Sequence, residues 1–230
     1  MRPQPRMVRA GGIVAIIMPP PWLRVIVPPR PMSGGEFLAA YPNVSAILDG
    51  SMFRVCRGEP HDYASYQCGV VEYAAMDAVL GTFMPPSYPD RGATLLVYPD
   101  GSTGVADGAS PGRWGVPWLA WQGYPLLVRD GRVVASPYAD SERTERAACG
   151  RLSTGEVAFI SGVAPMHEFA TAVRDVLGAS DVMYSDGGQS RVMAMRWGDR
   201  VVADDPTNLT ARRVPSFLCA VDPELWRLGP

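Results

Sequence analysis

The chain has 230 residues, 47% of them apolar, which is enough to fill a substantial core in one large domain or two small ones. A formal charge of −2 excludes a basic field able to hold a nucleic-acid backbone. All 21 basic residues are Arg, which excludes Schiff-base lysine chemistry and gives every cation a rigid fork suited to carboxylate or phosphate.

Arg2, Arg6 and Arg9 precede the short apolar run "AGGIVAIIM", which Pro19-Pro20-Pro21 halts before any small-residue cleavage site, so no cleavable signal peptide is expected. No stretch reaches the roughly 18–20 apolar residues that a bilayer span needs. The expectation is a soluble chain with neither a membrane nor a nucleic-acid partner. Two β-type runs follow, Ile13–Met18 and Trp22–Val27, and the flanking prolines confine them to sheet edges or strand ends. "SGGEFLAAYP" predicts a short helix over about 35–40, running into a strand at Val44–Leu48. A second short helix is expected over Tyr73–Leu80.

From Thr94 the turn chemistry is explicit. "TLLVYPDGSTGVA", "PLLVRDGRVVA" and "CGRLSTGEVAFI" each set a Gly-containing turn between apolar runs, the signature of a hairpin. Between the first two lies 107–125, rich in Gly, Pro and Trp, which is expected to be one long functional loop. One helix is well marked: Pro165 suits its first turn, Met166, Ala170, Val173 and Leu177 share a face with Val163, and Gly178 suits the position after its end. It feeds a strand at Val182–Tyr184 and then "SDGGQS". A hairpin turning near Gly198 and a strand in "VPSFLCAV" complete the series. The predicted class is α+β: one strand-rich domain with a mixed or antiparallel sheet built of hairpins and one strong helix, about 164–177, packed on it.

The cysteines at 56, 68, 149 and 219 form no CxxC pair, so zinc-ribbon and thioredoxin-type sites are excluded. Cys56 and Cys68 are close enough in sequence to bridge, but buried free thiols are the expected state. The histidines are His61 and His167. With Glu59 and Asp62, His61 suggests a metal site, against which stands a solvated turn. His167 lies on the helix and is expected to be exposed. No metal or cofactor is expected.

Three short stretches carry candidate chemistry. In "YSDGGQS", Gly187 and Gly188 let successive N–H groups point into one anion-holding concavity flanked by Asp186 and Ser190; the alternative is a tight turn with an Asx cap. "AILDGSMF" repeats the logic at Asp49-Gly50-Ser51, and two facing carboxylates are what glycosyl transfer to water uses. In "ERAACG", Arg146 beside small residues suits a fixed anion clamp, the alternative being a plain surface Arg. Trp114, Trp118, Trp121 and Tyr124 are candidates to stack on sugar rings, or else to cover a core.

These elements in this order resemble the phosphodiester glycosidase family. That family carries an Asn-Gly-Gly/Ser-x-Phe signature, then Arg-Thr-Ala-x-Gly entering a hairpin, a Gly-x-x-x-x-Glu-x-Ala helix and a strand ending in Asp-Gly-Gly-Gly-Ser. Here they read "LDGSMF", "RAACG", "GVAPMHEFA" and "SDGGQS", with "ARRVPSFLCAV" in place of the closing Arg-x-Val strand, across residues 12–221. Asp49 stands where the family has Asn, Gln189 replaces the third glycine, and Arg191 replaces a small residue. The resemblance implies one domain over 1–230, with 1–12 as an arm or tail, that hydrolyses a sugar-1-phosphodiester. Asp186 would be nucleophile or base, with Asp49 its partner or a sugar-hydroxyl ligand. Arg146 would hold the phosphate with Gly187 and Gly188, and Gly50, Ser51, Ser190, Arg213 and Trp118 would contact the substrate. Against it stands a non-catalytic glycan-binding or structural protein on the same fold, such as a virion component. The two leave open a cytoplasmic or virion-associated location and a homo-oligomer or virion assembly.

Overall fold

The structure, a computed structural model, describes residues 4–26, 28–50, 70–72, 93–107, 117–136, 141–185, 191–211, 213–214 and 216–226. Along the chain run β1 (Arg6–Ala10), β2 (Ile13–Met18), β3 (Leu23–Ile26), α1 (Gly34–Ala40), β4 (Val44–Asp49), β5 (Val70–Glu72), β6 (Ala93–Val97), β7 (Thr103–Asp107), β8 (Leu119–Gly123), β9 (Leu126–Arg129) and β10 (Arg132–Val133). After these come β11 (Thr144–Leu152), β12 (Val157–Ala164), α2 (Met166–Leu177), β13 (Ala179–Tyr184), β14 (Met193–Trp197), β15 (Arg200–Ala203), α3 (Asn208–Ala211), β16 (Phe217–Val221) and α4 (Pro223–Trp226).

The strands form three antiparallel sheets, ordered β1-β2-β12-β11-β13-β9-β10, β15-β14-β4-β16-β3 and β5-β8-β6-β7. All three sheets feed one apolar interior. Met18, Val25, Leu48, Leu95, Trp121, Phe159, Met183 and Leu218 meet there, all within 5% of full burial. The outer face of the seven-stranded sheet is apolar too, and α2 covers it with Phe169, Ala170 and Val173 against Ala15, Ala148, Ile160 and Val182. The outer face of the five-stranded sheet is covered by α1, with Phe37 and Phe217 ring centroids 4.1 Å apart. Strands buried on both faces lose the polar/apolar alternation of a half-exposed strand and read as continuous apolar runs.

This overturns the expected fold class. Strands dominate, they fall into three antiparallel sheets, and the helices are short, α2 being 12 residues long. The sequence error has a physical cause: periodicity marks a helix strongly and says nothing about how consecutive hairpins divide among sheets. Individual elements are where they were expected, including β2, α1, β4 and the three hairpins β6–β7, β9–β10 and β11–β12. In the second of these the turn residues Asp130 and Gly131 both have positive φ, 46° and 71°, as a two-residue hairpin turn requires. α2 follows Pro165 and ends on left-handed Gly178.

Two positions differ. Residues 6–10, expected in an N-terminal arm, pair with β2 as β1. β2 is therefore an interior strand, with its proline only at its end, while β3 is the sheet edge. The expected loop 107–125 contains β8, which lies between β5 and β6 in the four-stranded sheet. Its sequence "LAWQG" looked like loop because Gly, Pro and Trp surround it. The expected helix over 73–80 lies outside the described residues. Among the described residues no helix is long and apolar enough to cross a membrane.

Gly123 fixes how the four-stranded sheet meets β13. A Cβ there would lie 2.5 Å from Met183 Cβ and 2.6 Å from the Tyr184 carbonyl oxygen, and the next N–H, that of Tyr124, donates to that carbonyl at 3.0 Å. Gly123→Ala should therefore lower stability by about 1–3 kcal/mol, the cost of overpacking a close backbone approach, measured by chemical denaturation.

Candidate functional site

Antiparallel pairing brings several strand termini to one end of the two large sheets. Asp49 at the end of β4 lies opposite Phe217 at the start of β16, and Leu48 opposite Met193 at the start of β14. In the other sheet Tyr184, the last residue of β13, lies opposite Ala148 in the middle of β11. Polar side chains collect where these ends meet, because strand ends leave backbone groups without ladder partners.

Asp49 is 1% exposed. Its Oδ1 accepts the Val192 N–H at 3.1 Å, its own N–H donates to the Val192 carbonyl at 2.9 Å, and Oδ2 lies 3.3 Å from the Ser185 hydroxyl. That hydroxyl also donates to the Gly50 carbonyl at 2.6 Å and lies 3.1 Å from the Asp49 carbonyl. It thereby joins the seven-stranded sheet to the five-stranded one. Gly50 in turn donates its N–H to Ser216 at 3.0 Å, and a Cβ at Gly50 would lie 2.1 Å from the Ser216 hydroxyl. Only glycine fits between them. The Ser216 hydroxyl is buried and finds no hydrogen-bond partner among the described residues.

Arg146 is 3% exposed on β11, with Nε donating to the Ala164 carbonyl at 3.1 Å and a terminal nitrogen to the Glu142 carbonyl at 2.9 Å. Its neighbour Ala147 accepts the Ser185 N–H at 2.9 Å. The structure thus gathers Asp49, Gly50 and the strand of Arg146 around Ser185, the residue that precedes Asp186. Ser51, Asp186, Gly187, Gly188 and Ser190 lie outside the described residues, as do Trp114, Glu59, His61, Asp62, Cys56 and Cys68.

Arg213 and Trp118, two of the expected substrate contacts, have protein partners. Arg213 is exposed and ion-paired with Glu36 on α1 at 3.0 Å. The Glu36 carboxyl is held below the usual carboxylate range, first by the Ser33 N–H that it accepts and then by Arg30 and Arg213. Trp118 is half-buried against the main core, with the Arg24 guanidinium carbon 3.9 Å from its ring centroid. Trp121 is wholly buried and has no surface to offer a sugar. His167, expected to be exposed, is half-buried with Nδ1 2.8 Å from the Ala135 carbonyl oxygen. Cys149 and Cys219 are buried free thiols, and burial pushes the Cys149 thiol far up. Among the described residues no group of His, Cys, Asp or Glu is arranged to hold a metal ion.

A buried ionic cluster escaped the sequence reading. Arg191, 4% exposed, lies 3.3 Å from the Asp204 carboxylate and 3.4 Å from that of Glu145, with Asp205 at 3.9 Å. Asp204 also accepts the Ser161 hydroxyl at 2.7 Å, so the cluster ties β12 to the hairpin β14–β15. The signal available was the Asp204-Asp205 doublet with an Arg entering a strand, which by itself resembles a solvated turn.

A family model described as phosphodiester glycosidase matches residues 44–221. The chain belongs to the phosphodiester glycosidase family. Among solved structures, the catalytic domain of zebrafish N-acetylglucosamine-1-phosphodiester α-N-acetylglucosaminidase is similar with a TM-score of 0.62 and 14% identity, over 95% of this chain and 82% of that one. A hypothetical protein from Synechocystis aligns with a TM-score of 0.52 and 14% identity, over 94% of this chain and 61% of its own. A putative exported protein from Burkholderia pseudomallei aligns at 0.50 and 12%, over 91% and 74%. At these identities the likeness is one of fold. No curated protein sequence matches the chain.

Arg191 is a charge that this member of the family buries. Arg191→Met should cost about 3–5 kcal/mol, because it leaves Asp204 buried beside no guanidinium. Equilibrium unfolding in urea measures it.

Proposed function

We propose that the protein hydrolyses a sugar-1-phosphodiester, breaking the sugar C1–oxygen bond to release a phosphomonoester while water adds to C1. The observation that carries this reading is the convergence, in a phosphodiester glycosidase chain, of the Asp49-Gly50 strand end, the strand of Arg146 and the residue before Asp186 at one end of the sheets. The zebrafish neighbour is the catalytic domain of an N-acetylglucosamine-1-phosphodiester α-N-acetylglucosaminidase. A phosphomonoester leaves far more readily than an alkoxide. The site therefore has to hold the phosphate and stabilise positive charge developing at the sugar C1. In this reading Arg146 and the amides of Gly187 and Gly188 serve the phosphate. Asp186 supplies the carboxylate on the sugar side, as nucleophile or base.

A second reading, glycan binding without turnover, draws support from Asp49: its oxygens face protein donors, Val192 and Ser185. The test compares wild type with Asp186→Asn on a panel of sugar-1-phosphodiesters, following release of the phosphomonoester. The variant should bind substrate yet turn over about a hundred-fold more slowly, the scale of a lost acid–base group. Equal turnover would remove Asp186 from the chemistry. Binding by wild type with no release on any member would favour the binding module.

A further inference from the structure

We propose that the Ser216 hydroxyl is a substrate-binding group that donates to an oxygen of the sugar-1-phosphodiester; the inference rests on the sugar-phosphodiester reading of the site. Ser216 lies just before β16, one register step beyond the Asp49–Phe217 pair, and so faces Gly50. Its carbonyl accepts the Gly50 N–H at 3.0 Å, and the Gly50 carbonyl accepts the Ser185 hydroxyl at 2.6 Å. Side chains alternate between the two faces of a strand. Leu48, Leu218 and Ala220 point into the interior shared by the sheets, whereas Phe217 and Cys219 face α1. Ser216 keeps the parity of Leu218, and Gly50 that of Leu48, so both look toward the seven-stranded sheet. A Cβ on Gly50 would lie 2.1 Å from the Ser216 hydroxyl, which fits that shared side. The hydroxyl therefore stands at the junction of the Asp49-Gly50 strand end with Ser185.

What sets this hydroxyl apart is its bonding. The other buried serines among the described residues are paired: Ser33 accepts the Glu36 N–H at the start of α1, Ser161 donates to Asp204 at 2.7 Å, and Ser185 donates to Gly50. Ser216 is 1% exposed, and its Oγ has no hydrogen-bond partner among the described residues. An unpaired buried hydroxyl weakens a fold. Alanine, which is smaller and brings no polar atom, would avoid that cost. The free protein thus gains nothing from the oxygen at 216, and its partner comes from outside the chain. A sugar phosphodiester offers accepting oxygens on both its halves, and a serine hydroxyl has one proton to give. Because Ser216 is closed off from bulk water, a bond made there counts for more than one at an open surface.

The experiment compares the full chain with its Ser216→Ala variant. Two readouts are taken: the urea midpoint of the free protein, and KM and kcat on the sugar phosphodiester that wild type turns over. Ser216→Ala should unfold at the wild-type midpoint or above it, having no bond to lose. Its KM should rise about tenfold, the scale of one hydrogen bond, with kcat falling far less. The pair of readouts separates a bond to substrate from a bond within the fold, whose loss would cost the free protein stability. A variant with a lower midpoint than wild type would overturn the proposal, because the hydroxyl would then have its partner in the free protein. So would a KM within about twofold of wild type. If wild type turns over no sugar phosphodiester, the proposed function fails by itself, and calorimetric titration of the same panel decides the role of Ser216. Affinity about tenfold weaker in Ser216→Ala keeps the hydroxyl in the site, whereas equal affinity, or no binding by either protein, removes it.

Discussion

Three sheets share one apolar interior, and a polar group that enters it has to bring its partner. The cost of a buried, unpaired donor or acceptor is on the order of 1–3 kcal/mol, a sizeable share of a domain's net stability. Along the strand middles the ladders meet this requirement. At the strand ends they cannot, and side chains take over: Ser185 on Gly50, Asp49 on Val192, Ser161 on Asp204. The same obligation that closes the end of the fold therefore assembles the candidate site.

An arginine-only cation set fits this architecture. Arg146 serves two carbonyls from one guanidinium, and Arg191 faces three carboxylates while also lying 3.4 Å from the Gly162 carbonyl. Arg151 grips Asp181 through two nitrogens and reaches the Thr103 carbonyl with a third. A planar fork with five donors can satisfy several acceptors at fixed angles, whereas an ammonium is a compact, strongly hydrated point charge that resists burial. The seven-stranded sheet is thus tied by Arg191 to the five-stranded sheet and by Arg151 to the strand β7, through the same chemistry on two sides.

What the sequence revealed was local. Turns such as Asp100-Gly101 and Asp130-Gly131 declare themselves within four residues, and so did the hairpins they close. The ends of α2 were legible because Pro165 and Gly178 act on their own neighbours. The division into three sheets was not, since a strand buried on both faces carries no mark of which sheet it joins. Nor was the setting of Asp49, whose acceptor contact spans 143 positions to Val192. The family motifs marked "LDGS" and "SDGGQS" as separate words; that Asp49 and Gly50 lie beside Ser185 is a fact of three-dimensional pairing. Arg191 looked like a mere departure from the motif, because its partner Asp204 lies beyond two strands and the turn between them.

The pairing of early strands with late ones sets an order on synthesis. Among the described residues β3 and β4 find their sheet neighbours in β14 and β16, so these two strands have to wait until the ribosome has delivered residues 193–221. Over that interval, at roughly 5–20 residues per second, two apolar strands are left without their native ladders. β2 waits in the same way for β12, although its partner β1 is already at hand. Closing such distant pairs carries a loop entropy that local hairpins avoid, which places this chain among slow folders. The hairpins β6–β7, β9–β10 and β11–β12 can form as they emerge, and the nascent protein is then a row of finished hairpins beside unpaired strands, the stage at which chaperone protection matters most.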